Sequence, residues 1–161
     1  MPTTDPPKTT RDQWVGRVVG QMGPAGFVDG VFVDGNRDKW SSGVTSLCDK
    51  DAKAAWSDGL NATMWQLRAE CDKAGNARGC TIISNYATDA ALQMSDGGMI
   101  ERFGCAVNNI AQLAELTSEG FLVQVHAQSA TSAASLQQCV ACFLVGANEG
   151  AYFGAGNGWE G

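Results

Sequence analysis

One histidine and four prolines among 161 residues leave several chemistries without their usual groups. His126 alone cannot build a histidine-rich metal centre, and no serine sits in a Gly-x-Ser-x-Gly elbow, so a Ser-His-Asp hydrolase has little support. No Gly-x-Gly-x-x-Gly follows the first predicted strand and no phosphate loop occurs, which weakens a nucleotide-binding reading. No apolar run approaches the roughly 20 residues that a membrane helix needs. The opening Met1-Pro-Thr-Thr-Asp-Pro-Pro-Lys-Thr-Thr10 has neither the basic nor the apolar region of a signal peptide. Eleven Lys and Arg against seventeen Asp and Glu give a net charge of −6, and the basic residues are scattered. Neither nucleic acid nor a membrane is expected as a partner.

What remains is ordered in composition, with 44% apolar and 17% charged residues, enough for one globular core. Residues 1–10 read as a flexible Pro- and Thr-rich arm and 11–161 as a single domain. Six cysteines (Cys48, Cys71, Cys80, Cys105, Cys139, Cys142) and the sequon Asn61-Ala62-Thr63 hint at an oxidising compartment, and so at secretion. Cys71 and Cys80 flank a Lys-Ala-Gly-Asn-Ala-Arg-Gly turn that would close a small loop. Six cysteines allow many pairings, and sequence does not choose among them. The Cys139-Val-Ala-Cys142 spacing has no second pair and no neighbouring His, so zinc is disfavoured and a buried structural role for both thiols is expected.

Along the chain, Trp14, Val15, Val18 and Val19 fit one face of a helix ending near Gly23-Pro24. The apolar run from Phe27 to Val33 ends in Asp34-Gly35 and reads as a buried parallel strand. A long helix follows, from about Asp49 to Cys71. Further strands are predicted at Cys80–Asn85, Gly98–Phe103, Phe121–His126 and Gly150–Gly154. Helices are expected at Thr88–Met94, through Val107 to Leu116, and at Ser132–Leu144. Strands alternating with helices indicate an α/β fold of parallel βα units with right-handed crossovers. Either an open doubly wound sheet or part of an eight-stranded barrel would fit.

In such folds the carboxyl ends of the strands open onto one face, where chemistry is placed. Here those ends carry Asp34, Asn85, Glu101 with Arg102, His126 with Gln128, and the Tyr152 to Trp159 region. Taken singly, Asp34 also suits a helix cap or a turn with Gly35, and polar strand ends also simply meet solvent. Glu101 stands out as a charge inside a strand expected to be buried, costly unless paired or functional. Adjacent strand residues point to opposite sides, so Arg102 is not its expected partner. Two carboxylates in one pocket suit glycoside hydrolysis, one as nucleophile or base and the other as proton donor. Trp40, Tyr86, Tyr152, Phe153 and Trp159 fall at predicted strand ends or loops, where aromatic planes stack on sugar rings, although each alone is more often packing. His126 suits a hydrogen bond to a substrate hydroxyl or carboxylate, or a satisfied core histidine.

The string Val28-Asp-Gly-Val-Phe-Val-Asp-Gly-Asn36, the segment Gly97-Gly-Met-Ile-Glu-Arg-Phe103 and the ending Ala151-Tyr-Phe-Gly-Ala-Gly-Asn-Gly-Trp159 together resemble the later strands of hypothetical glycosyl hydrolase families with a TIM (β/α)8 barrel. The resemblance runs from about residue 12 to residue 161. The Asp-Gly-Val-Phe-Val-Asp strand is similar to that of the endo-polygalactosaminidase-like group. By motif position the resemblance implies Asp34 and Glu101 as the catalytic acids, with Asp29 structural. Asn36, Arg37, Trp40, Asn85, Tyr86, Arg102, His126, Gln128, Tyr152 and Trp159 would line the sugar cleft. A chitinase pattern is disfavoured, since Phe32 and Asn36 stand where its middle Asp and its Glu would be.

The expected ligand is a carbohydrate, poly- or oligosaccharide, with no cofactor and no metal. A complete barrel takes roughly 200 to 250 residues or more, so the first three βα units are expected to be missing, to be completed by a second copy or by an N-terminal half. The competing readings are a non-catalytic carbohydrate-binding or degenerate barrel fragment, and a hydrolase or lyase using Glu101 as a base on other substrates.

Overall fold

A computed structural model describes residues 8–22, 28–34, 49–74, 80–128 and 130–156. Within these, the order is α1 (Thr10–Val19), β1 (Gly30–Val33), α2 (Lys50–Ala74), β2 (Thr81–Ser84), α3 (Asp89–Leu92), β3 (Gly97–Glu101), α4 (Val107–Ser118), β4 (Leu122–Ala127), α5 (Ala133–Gly146) and β5 (Ala151–Ala155). The strands form one five-stranded parallel sheet in the order β1-β2-β3-β4-β5. The alternation of strand and helix is therefore as expected. The chain divides into two compact units, residues 1–31 with 37–81, and residues 32–36 with 82–161.

In the first unit, α1 begins earlier than the apolar pattern alone suggests. Thr9 and Asp12 form a capping box: the Asp12 N–H donates to the Thr9 hydroxyl oxygen at 3.2 Å, while the Thr9 N–H and O–H donate to Asp12 Oδ2 at 2.8 and 2.7 Å. The helix ends at Val19 with Gly20 as its cap, short of Gly23-Pro24. Val15 is buried, whereas Trp14 is 42% exposed and so lies off the core face assigned to it by spacing. Met64, Leu67 and Cys71 of α2 are buried at helical intervals. Gln66 Nε2 donates to Asp12 Oδ1 at 2.8 Å and ties α2 to α1. Cys71 and Cys80 are joined by a disulfide, closing the small loop their flanking turn suggested.

In the second unit the face of β3, β4 and β5 covered by α4 and α5 is apolar. Ile100 pairs with Val125 and Val125 with Phe153, and Val123, Leu113 and Leu116 complete the cluster around a fully buried Phe103. Phe143 of α5 meets Phe103 edge-on at 6.5 Å and Phe153 at 5.4 Å. Phe153 is thus core packing and not a rim aromatic. β3 starts on two glycines because its neighbours come close: a Cβ at Gly97 would collide with the Leu122 carbonyl, and one at Gly98 would lie 2.8 Å from Ala87 Cα. Asp96 aligns that start, accepting the Ile82 N–H on Oδ2 at 2.7 Å and donating its own N–H to the Ile82 carbonyl at 2.8 Å.

α4 opens on Ala106, which offers no side-chain cap, and the bend before it is held instead by a disulfide from Cys105 to Cys142 on α5. Cys142 is therefore a disulfide partner and not the buried thiol expected of it. Cys139 is free and buried, and Cys48 lies outside the described residues. Among the described residues no helix is long and apolar enough to cross a membrane.

Candidate active site

The second unit brings two acids to the carboxyl side of its parallel strands. Asp34 immediately follows β1, whose last residue, Val33, is buried. The Asn85 N–H donates to the Val33 carbonyl at 2.9 Å, so the ends of β1 and β2 are in register. The Asn85 side chain then reaches across, with Nδ2 donating to Asp34 Oδ1. An amide N–H opposite a carboxylate oxygen is a charge-assisted bond that fixes the carboxyl plane. Asn85 itself is 2% exposed, beside a fully buried Ser84, whereas Asp34 is exposed. The Asn85 Oδ1 atom is buried without a hydrogen-bond partner among the described residues.

Glu101 is the last residue of β3, only half-buried, and the strand does not continue to Phe103. The expected charge inside a buried strand is instead a charge at a strand mouth, which removes the desolvation argument for it and leaves the positional one. Arg102 follows with φ 54°, a left-handed conformation uncommon for a residue with a Cβ. That turn breaks the strand's alternation: Arg102 is left exposed and Phe103 drops into the core, its N–H donating to the His126 carbonyl at 2.9 Å.

His126 is the register partner of Glu101 on the neighbouring strand. Side chains of directly paired residues leave a sheet on the same face, so carboxylate and imidazole project side by side. His126 is buried, and its carbonyl also accepts the Gln128 N–H at 3.2 Å. One row below on that same face lie Met99, Gln124 and Tyr152. Tyr152 is the second residue of β5 and 58% exposed, so it shares the face of Glu101 without reaching the strand's carboxyl end. Tyr86 follows β2 and is half-buried. Asn36, Arg37, Trp40 and Trp159 lie outside the described residues.

The structure therefore pairs Asp34 with Asn85 at one end of the sheet's mouth and Glu101 with His126 further along it. The Asn85–Asp34 bond could be anticipated only as two polar strand ends, because nothing in either residue's local pattern announces its partner. Among the described residues no three His, Cys, Asp or Glu side chains converge as a metal-ligand set.

The structure is an α/β protein of parallel βα units with acids, an amide and an imidazole at the carboxyl side of its strands, where such folds place their chemistry. The chain belongs to hypothetical glycosyl hydrolase family 15, whose family model matches residues 3–159. No curated protein and no solved structure matches it.

Proposed function

We propose that this protein hydrolyses glycosidic bonds of a poly- or oligosaccharide, with Asp34 as nucleophile or base and Glu101 as acid or acid/base, on the later strands of a (β/α)8 barrel. The observation that carries the reading is the placement of both acids at the carboxyl ends of β1 and β3 of one parallel sheet. Each has a neighbour suited to orient it, Asn85 for Asp34 and His126 for Glu101. In this scheme Glu101 gives its proton to the leaving glycosidic oxygen. Asp34 attacks the anomeric carbon, or takes a proton from the attacking water, on the opposite side of the ring. Arg102, Tyr86 and Gln128 bind sugar hydroxyls around it, together with Asn36, Arg37, Trp40 and Trp159, which follow β1 and β5 in the sequence.

The test is hydrolysis of a panel of polysaccharides that includes a galactosaminoglycan, since the β1 string resembles the endo-polygalactosaminidase-like group. Asp34→Asn and Glu101→Gln keep size and hydrogen-bonding capacity, and each should lower kcat/KM by about 10²–10⁴-fold without changing the circular dichroism spectrum. Near-native turnover in either variant would sink the assignment of that acid. The anomer of the first product, read by NMR, then assigns retention or inversion.

One observation favours a second reading, a carbohydrate-binding protein without turnover. Gln124 and Tyr152 are exposed on the same face as Glu101 and His126, an amide and a phenol ring suited to hold a sugar whether or not it is cleaved. Under this reading sugar binding survives the double substitution and no substrate of the panel is cleaved by the native chain.

A further inference from the structure

We propose that Asn61 is an N-glycosylation site, and that the first N-acetylhexosamine of its glycan lies on the indole of Trp65, one turn further along α2. Asn61-Ala62-Thr63 is an acceptor sequon, and neither Asn61 nor Thr63 is a residue that a helix interior favours. Asparagine serves a fold best at caps and turns, where its amide bonds to nearby backbone. Asn61 instead stands near the middle of the 25 residues of α2, exposed, and among the described residues its amide has no hydrogen-bond partner. The one atom to which a glycan would be joined, Nδ2, therefore faces solvent.

The helix face that carries Asn61 adds a second observation. Ala54, Asp58, Asn61, Trp65 and Asp72 follow one another at helical spacing and all are exposed, whereas Met64, Leu67 and Cys71 on the other side are buried. Trp65 stands 52% exposed on this solvent face, and among the described residues it has no hydrogen bond or ring contact. Residues four apart on a helix have Cβ atoms about 5–6 Å apart. Helical side chains lean toward the N-terminus, so residue 65 covers the surface beside residue 61. A sugar held on Asn61 would thus present its C–H face to the indole plane. The covalent bond to the sequon selects the occupant, and the indole fixes where its first ring lies.

The sugar donor is a lipid-linked pyrophosphoryl oligosaccharide. Asn61 Nδ2 forms a bond to the anomeric carbon of the reducing-end N-acetylhexosamine as the bond from that carbon to the pyrophosphate oxygen breaks. The lipid pyrophosphate leaves with that electron pair, and a base of the transferase takes one amide proton. In the fold the Thr63 hydroxyl donates to the Gly59 carbonyl at 2.7 Å, so the group that completes the sequon is freely presented only before α2 closes, and transfer precedes folding. The disulfides Cys71–Cys80 and Cys105–Cys142 suit the same compartment, since disulfides and sequon glycosylation both belong to secreted chains.

The test is glycopeptide mass spectrometry of the chain isolated from the cells that make it, read on the tryptic peptide of residues 54–68. That peptide should carry an N-acetylhexosamine-based glycan localised to Asn61. The bare peptide alone, or a glycan localised to Ser57 or Thr63, overturns the proposal. In a eukaryotic secretory host, Asn61→Gln and Thr63→Ala should each abolish the modification and Thr63→Ser should retain it, a pattern that a folding defect would not produce. Modification that survives Asn61→Gln overturns the site. Enzymatic removal of the whole glycan should lower the melting temperature of the native chain by about 2 °C more than that of the Trp65→Ala chain, which still carries the glycan. An equal fall in both overturns the placement of the first sugar on Trp65. None of these readouts passes through Asp34 or Glu101, so the glycan and the proposed hydrolysis stand or fall separately.

Discussion

Among the described residues, the phenylalanine cluster of one compact unit and the tryptophans of the other differ in burial. In the unit of residues 32–36 and 82–161, Phe103, Phe143 and Phe153 interlock beneath the sheet, and the polar groups are gathered at the strand mouths. In the unit of residues 1–31 and 37–81, Trp14, Trp56 and Trp65 are about half exposed, while methionine, leucine and valine fill the seam between two helices. Aromatic area that is buried contributes to stability, and aromatic area left in water is available for recognition. On the proposed function, chemistry and the scaffold that positions it lie in the unit of residues 32–36 and 82–161.

The largest effects should come from the rim. Asp34→Asn or Glu101→Gln should reduce turnover by about 10²–10⁴-fold while Trp14→Ala and Trp56→Ala leave kcat on a short oligosaccharide within twofold, a split that steady-state kinetics reads directly. If the tryptophan variants lose kcat as severely as the acid variants, the division of labour fails. Stability should show the reverse contrast. Phe103→Ala empties the centre of a packed cluster and should cost about 3–5 kcal/mol, whereas each exposed tryptophan should cost about 0.5 kcal/mol, both measured by urea unfolding.

The disulfides sharpen the comparison at intermediate size. Cys105–Cys142 spans 37 residues and Cys71–Cys80 spans 9. Chain-entropy scaling then gives the longer closure about 4 kcal/mol and the shorter about 2.5 kcal/mol. Replacing each pair by serine should therefore destabilise the sheet-bearing unit more, and it should also loosen the bend that follows Glu101 and Arg102. A larger loss from the Cys71/Cys80 pair would show that closure entropy does not govern here. At the rim itself, Arg102→Gly relieves a left-handed residue and should raise stability by about 1 kcal/mol. A drop in stability would mean that the arginine side chain contributes more than its backbone conformation costs.

Much of this architecture was legible because the governing signals are local. β4, with Val123 and Val125, and α4, with Leu113 and Leu116, declare their types by period, and both fall within a residue or two of expectation. The misreadings have physical causes. β3 was expected to reach Phe103 because its run stays apolar, but the turn at Arg102 rests on backbone conformation, which an arginine does not advertise. Trp14 was placed on the core face because spacing says which residues share a side, not how far round the buried arc extends. Cys105 and Cys142 lie on different elements, so their pairing needed the packing of α4 on α5. The same holds at the site. Strand ends were legible, so Asp34 and Glu101 could be singled out. That Asn85 would bond Asp34, and that His126 would stand beside Glu101, depends on strand order and register, which no single segment encodes.

The smallest effect concerns the first turn of α1, and it tests whether the helix pair of the first unit is held by its cap or only by its seam. The Asp12 carboxyl is held down from 3.8 to about 2, first by the Gln66 amide donating to it, then by the hydroxyl and backbone N–H of Thr9. A carboxyl whose folded value is depressed stabilises the fold above its unfolded value, and that contribution is lost as pH falls through the folded one. The melting temperature of the native chain should therefore fall between about pH 4 and pH 2 by more than that of Asp12→Asn, and Gln66→Ala should reproduce most of the difference. Because the carboxyl is solvated, the difference should be small and should shrink further in high salt. If instead all three chains lose stability in parallel over that range, the cap is dispensable, and Val15, Met64 and Leu67 alone hold α1 on α2.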